Sequence, residues 1–335
     1  KKLEMLSLES GLPESLHGLL LSRIDRLDEN SRAILLVASV IGQRFPFDVL
    51  QSIQQHDAQM LRYQLSNLDA QEFTLLEREV PEQVHLFRHT LMQEVAYQSL
   101  LYARRRELHR KIGEYLEKRH AADRKPYYGL LAHHYRLSDS RAKAITYLLL
   151  AGHAARDTYA NDEAIQYYRW ALEALQANPT DPQTWEVHKA LGDVFSTVGR
   201  YDEALTEYAA ILAVEEAPAE GVAFTLPPAV AAEALRGRGD ALEKQGQYAQ
   251  AIAELHRAEA LAHAHPDAVS PLLVAAIYAD MGLVLMRWGE YDRALEVCNA
   301  GLQHLCPDQR TREDERIEAG LHTQLGTIHG MRGDY

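Results

Sequence analysis

Apolar residues recur at helical spacing along most of the chain. In Glu14–Leu27 the apolar side chains Leu16, Leu20, Ile24 and Leu27 mark one face of an amphipathic helix. Asp28-Glu29-Asn30-Ser31 interrupts it and offers N-caps for a second helix, Arg32–Ile41, which is apolar almost all round and therefore expected to be buried. Gly42 closes that helix, and Phe45-Pro46-Phe47 predicts a third, Pro46–Ile53, with proline in the first turn. A fourth spans Ala58–Asp69, with Leu61, Leu65 and Leu68 on one side. The period then changes. Phe73–Arg78 and Val84–Arg88 are short apolar runs around Val80-Pro81-Glu82-Gln83, and they predict a single β-hairpin. Helical spacing resumes over Thr90–Leu101 and Arg104–Arg119.

Several helices followed by a two-stranded wing describe a winged-helix domain over residues 1–120, ending in the charged, helix-poor stretch Lys118–Pro126. From 121 to 335 the pattern is one of paired helices, with loops at Ala213–Pro228, His263–Asp267 and Pro307–Arg312. Within it a glycine is followed seven residues later by a glycine and two further on by a tyrosine: Gly192-Gly199-Tyr201, Gly239-Gly246-Tyr248, Gly282-Gly289-Tyr291 and Gly326-Gly333-Tyr335. Ala204, Ala251 and Ala294 each stand 12 residues after the first glycine. A weaker copy around Gly152, with Ala164 and Tyr168, lacks the turn glycine, and Arg238 stands where an apolar residue is expected. The signature glycines Gly152, Gly192, Gly239, Gly282 and Gly326 lie 40, 47, 43 and 44 residues apart. These units fit the tetratricopeptide pattern, in which small residues let two helices approach and large ones fill the space between. The fold class expected is mainly α: a winged helix with a small β-hairpin, then a tetratricopeptide-repeat α-solenoid whose last repeat is truncated.

Composition narrows the function. With 335 residues and 47% hydrophobic content the chain can bury substantial cores, and its net charge of −13 disfavours a nucleic-acid partner. No apolar run is expected to span a membrane, and Lys1-Lys2-Leu3-Glu4 is not a signal peptide, so a cytoplasmic location is expected. Cys298 and Cys306 read as buried or free thiols. His133-His134 and His263-x-His265 lack the spacing of a metal site, and no catalytic constellation stands out, so neither metal nor enzymatic activity is expected of this chain. The dense basic patch Arg104-Arg105-Arg106 with Arg110 and Lys111 reads as a solvated helix face or a set of salt bridges. In a solenoid the first helix of each unit lines the concave side. Lys189, Asp193, Ser196, Arg236, Asp240, Glu243, Ala279, Leu283 and Met286 are therefore the candidate partner-binding groove. They pass from charged to apolar, which suits a protein or peptide ligand around the units of Gly239 and Gly282.

Two stretches carry a resemblance. Leu12–Leu27 with Leu35–Gly42, and Phe87-Arg-His-Thr-Leu-Met-Gln-Glu-Val-Ala-Tyr97 with Arg105–Gly113, resemble the region that follows the ATPase core in STAND-class signalling NTPases. The likeness is to predicted ATPases joined to nucleotide cyclases and to large transcription activators of that class. It implies an upstream nucleotide-binding domain that holds ADP or ATP with Mg, and a repeat sensor whose engagement switches it, possible oligomerisation on activation included. No G-x-x-x-x-G-K-[ST] phosphate loop occurs in this chain, so the nucleotide is expected on the parent protein. The resemblance also implies a role for His89, at the comparable place of a Met-His-Asp motif whose histidine senses the ADP phosphates; Thr90 replaces the usual Asp. Two alternatives remain open at this point: a stand-alone repeat scaffold for protein assembly, and a DNA-linked transcription regulator.

Overall fold

The computed structural model describes residues 14–176, 178, 180–216, 225–305 and 311–332. Its contacts divide into two compact units, residues 1–151 and 152–335. The calls on Leu12, Pro13, Cys306, Gly333 and Tyr335 lie outside the described residues.

The first unit opens with α1 (Glu14–Asp25), α2 (Glu29–Ile41), α3 (Phe47–Gln54) and α4 (Ala58–Ala70). Asp28 caps α2 through a 3.0 Å bond from the Ser31 amide, and Asp57 caps α4 in the same manner. α2 is the central helix: Ile34, Leu35, Val37, Ala38 and Val40 are buried, as its continuous apolar run requires. The strand content is larger than the expected hairpin. β1 (Arg44–Pro46), β2 (Thr74–Arg78) and β3 (Val84–Phe87) form a three-stranded antiparallel sheet in the order β1-β3-β2. Pro46 is thus a strand residue preceding α3 and does not begin the helix. The reason lies in Phe45, which is wholly buried against the rings of His85 and Phe87, and in the Phe47 amide, which donates to the Gln83 carbonyl at 2.9 Å. Proline is tolerated because β1 is an edge strand.

α5 (Thr90–Ser99), α6 (Tyr102–Arg119), a 3₁₀ turn at Lys125–Tyr127 and α7 (Tyr128–Arg136) follow. α8 (Arg141–Asp157) carries the chain from one unit into the other. Glu117 ties α6 to α7 and to the first part of α8. Its carboxylate accepts from Tyr135 Oη at 2.7 Å, Lys143 Nζ at 2.6 Å and Tyr147 Oη at 2.7 Å. Burial alone would raise its pKa, but the bonds from Lys143, Tyr147 and Tyr135 outweigh that and hold it at about 2.

The second unit is a stack of helix pairs: the end of α8 with α9 (Asn161–Leu175), α10 (Pro182–Thr197) with α11 (Tyr201–Glu216), α12 (Pro228–Lys244) with α13 (Tyr248–Ala264), and α14 (Pro271–Trp288) with α15 (Tyr291–Gln303). α16 (Arg312–Arg332) packs on α14 and α15. α11 runs to Glu216, past Ala213, where a loop is expected to begin. The repeat signature maps onto a single contact. A Cβ placed on Gly152 would come within 2.5 Å of the Tyr168 ring, one on Gly192 within 2.7 Å of Tyr208, and one on Gly239 within 2.7 Å of Leu255. On Gly282 it would strike Cys298 Sγ. Tyr208 is clamped from a second side, because a Cβ on Gly237 would lie 2.5 Å from its ring. Arg238, the misfit in the pattern, pairs with Glu254 of α13 at 3.0 Å. Cys298 is a free, buried thiol.

α14 comes nearer to a membrane span than the sequence suggests. Its 18 residues are apolar enough by length and composition to cross a membrane, with a mean hydropathy of 1.4. It packs against α12, α13, α15 and α16, half of it is buried within the protein, and Asp280 and Arg287 on it are ion-paired, which accounts for its composition as a core helix.

The turn glycines Gly199, Gly246 and Gly289 adopt φ of 80°, 76° and 87°. In the pair that lacks one, Tyr159 occupies the equivalent place at φ 58° and is exposed. Tyr159→Gly is expected to stabilise the second unit by about 0.5–1 kcal/mol, relief of left-handed strain exceeding the added freedom of the unfolded chain. A urea titration checks this, and an unchanged or lower midpoint contradicts it. Gly192→Ala and Gly237→Ala should each cost about 1–3 kcal/mol by overpacking Tyr208, whereas Gly320→Ala, with nothing within 4 Å of its Cβ, should be neutral or stabilising.

Candidate functional site

The glycine contacts fix the rotation of each first helix, so residues three before and one and four after the signature glycine share a face. On α10 and α12 these are Lys189, Asp193 and Ser196, then Arg236, Asp240 and Glu243. The structure brings the charged ones together. Lys189, Asp193, Arg236 and Asp240 line a cleft of about 290 Å³ with Tyr208, Glu233, Gly237 and Asp280.

Its walls are internally bonded. Lys189 Nζ lies 3.3 Å from Asp193 and 3.7 Å from Glu233, and Tyr208 Oη donates to Asp193 at 2.7 Å. Asp240 accepts from Ser196 Oγ at 2.8 Å and Lys244 Nζ at 2.8 Å. Arg236 Nε donates to Asp280 at 2.5 Å. Burial opposes the Arg236 charge, but Asp280, Asp240 and Glu233 outweigh it and raise the guanidinium's pKa, so it stays charged. Burial pushes the Asp280 carboxyl upward despite Arg236, and it pushes the Tyr208 hydroxyl upward together with Asp193. The Tyr208 hydroxyl and the Arg236–Asp280 pair belong to the framework of the cleft. Lys189, Glu233 and Asp240 are more open to solvent.

The apolar end of the expected groove is built differently. Met286 packs partly against the core of the solenoid, and Leu283 is half-buried. Ala279 is half-buried too, and its carbonyl accepts from Gln324 Nε2 of α16 at 3.1 Å. Glu243 is buried and paired with Arg287. Sequence reasoning missed Glu233, Lys244 and Asp280. A signal was present: Ser196–Asp240, Arg236–Asp280 and Glu243–Arg287 are each separated by 44 residues, close to one repeat length, and bond across adjacent first helices.

In the first unit His89 is the N-cap residue of α5, exposed, with no side-chain capping bond. The residues flanking it in the motif serve the fold. Phe87, Met92, Val95 and Ala96 are buried, and Gln93 Nε2 donates to the Ser39 carbonyl at 2.7 Å. The basic patch on α6 is largely paired: Arg104 and Lys111 hold Glu107, Arg110 holds Glu114 and Asp139, and Arg105 lies over the Tyr97 ring. Among the described residues no group of three or more His, Cys, Asp or Glu could hold a metal ion.

No family model matches the chain. A curated plant protein, kinesin light chain-related 3 of Arabidopsis thaliana, is 23% identical over 178 residues, which is 52% of this chain and 26% of that protein's length. Among solved structures, aspartyl phosphate phosphatase F of Bacillus subtilis superposes with a TM-score of 0.50 at 15% identity, covering 96% of this chain and 77% of that one. A STAND protein with a tetratricopeptide repeat sensor from Pyrococcus horikoshii gives a TM-score of 0.40 at 12% identity, covering 93% of this chain and 55% of that one. The fold is that of a tetratricopeptide-like α-solenoid with a small three-stranded sheet.

Proposed function

We propose that the chain is the arm and sensor region of a nucleotide-switched signalling ATPase of the STAND class, with no enzymatic activity of its own. The first unit is read as a winged-helix arm against an upstream nucleotide-binding domain, and the second unit as the surface that takes a protein or peptide. One observation carries the binding role: adjacent first helices are held in register by polar bonds that recur along the stack, and α10 and α12 share a charged cleft. Solenoid faces of this kind suit an extended segment. The arm reading rests on the quoted motifs and on His89, which the fold leaves solvent-facing while it buries Phe87, Met92, Val95 and Ala96 of the same motif.

The cleft is tested with a random peptide library panned against the 335-residue chain. Selected peptides should lose about 10- to 100-fold in affinity on Lys189→Glu or Asp240→Lys, the worth of one charge-assisted contact. The melting temperature should hardly change, since partly exposed ion pairs contribute about 0–1 kcal/mol. Selected binders that ignore both changes would move the site elsewhere. The arm is tested in the parent protein: His89→Ala should release ADP about 10- to 100-fold faster through loss of one charged hydrogen bond. Unaltered ADP release would leave His89 a solvent-exposed helix start.

A further inference from the structure

The first unit buries two imidazoles that neither the arm nor the cleft accounts for. His109 of α6 and His134 of α7 are each 1% exposed, and their Nδ1 atoms lie 3.0 Å apart. His109 Nε2 lies 3.0 Å from Tyr97 Oη of α5, so both of its ring nitrogens are engaged. His134 Nε2 is buried without a hydrogen-bond partner. His133 stands at the rim, its ring centroid 5.8 Å from that of His109 and 5.2 Å from that of His134.

A hydrogen bond between two Nδ1 atoms holds one proton, so at least one of the two rings must be neutral. With both neutral, either His109 donates to His134 and accepts from Tyr97, or His134 donates to His109, which then donates to Tyr97. His109 can take up one proton and donate to both His134 and Tyr97, but the charge is then buried beside Arg105 and Arg136. In the first arrangement His134 can gain a proton only at the nitrogen that already accepts. In the second it can gain one only at Nε2, which faces no acceptor. With both rings protonated, two N–H groups would oppose each other across 3.0 Å. The charged and titratable groups that act on the pair add to the cost. They are Tyr97 from α5, Arg105 from α6, and His133 and Arg136 from α7, with no carboxylate among them. Burial, then His133, Arg105 and Arg136, lower the His109 pKa to about 3; burial holds that of His134 well below the ordinary imidazole value, with His133 and His109 adding to it.

We propose that the His109–His134 pair is a proton-sensitive latch: neutral, it holds α7 against α6, and acidification releases α7. The sign follows from linkage. The closed state binds fewer protons than the open one at any pH below the ordinary imidazole value of 6.5, so opening grows as pH falls from that value towards 3. Between pH 7.5 and 5.5 the opening equilibrium should rise roughly 10-fold if one ring is freed to titrate normally and roughly 100-fold if both are.

Hydrogen exchange on the 335-residue chain measures this, with intrinsic rates corrected for pH and the amides of α2 as reference within the same unit. Expected is a loss of protection in Tyr128–Arg136 of 10-fold or more relative to α2 over that range, and a much weaker loss in His134→Asn, whose amide can occupy the place of Nδ1 without titrating. Protection of α7 that follows α2 at every pH, or an equal acid response in His134→Asn, overturns the latch. Should that variant fail to fold, the histidine ring resonances of the wild-type chain decide. Two rings that stay neutral to below pH 5 while the fold persists support the proposal, and titration of either near 6.5 in the folded chain overturns it.

Discussion

The second unit rests on one steric contact repeated along the stack: a glycine on the first helix of each pair against a large side chain on the second. Gly152 meets Tyr168, Gly192 meets Tyr208, Gly239 meets Leu255 and Gly282 meets Cys298. Each glycine lets the helices close to a distance that a Cβ would forbid, and the opposing side chain fixes their rotation. The partner shrinks along the chain, and the neighbourhood adjusts. Beside Cys298 the side chain of Gln324 from α16 fills the remaining space, accepting from the thiol at 3.2 Å and donating to the Ala279 carbonyl. The same device appears in the first unit, where a Cβ on Gly113 of α6 would lie 3.0 Å from the Tyr135 ring of α7. Helix pairing of the repeat kind therefore begins before the spacing pattern shows it.

Rotation fixed in this way is what makes a binding face possible. Residues at constant offsets from the glycine emerge on one side, and a side chain can reach its counterpart a repeat away. The Arg236–Asp280 and Glu243–Arg287 pairs are such bonds. Their net contribution to stability is small, because desolvation offsets much of the attraction. Their physical effect is on register: a relative slide of α12 and α14 would leave a buried Glu243 without its arginine.

The helices, the pairing and the faces were legible in the sequence because glycine, alanine and large-residue spacing reports directly on backbone approach. The third strand was not, since Arg44–Pro46 is only three residues long and its signal lies in partners 40 residues away, Phe45 on His85 and Phe87. The candidate groove was legible in its polar part only. Lys189, Asp193, Arg236 and Asp240 converge, whereas Met286 turned partly into the core, a distinction that helical spacing cannot make for a half-buried apolar residue. Asp280 escaped notice because its importance comes from pairing with Arg236, a relation visible only when the repeats are laid in register.

The first unit shows why a motif's most buried polar members say little about binding and much about folding. Tyr97 and His109 sit in the quoted motif stretches, yet they face each other and, through His109, His134 of α7. Glu117 is similar, a carboxylate committed to Tyr135, Lys143 and Tyr147. These two polar centres hold the same helices by opposite electrostatics. Glu117 joins α6 and α7 through a charge that persists down to about pH 2, while the histidine pair holds them best when uncharged. Between the ordinary imidazole pKa and that of a free carboxylate, protonation therefore weakens one attachment and leaves the other intact. The consequence in that window is partial loosening about a retained Glu117 anchor, with the α6–α7 pair still tethered.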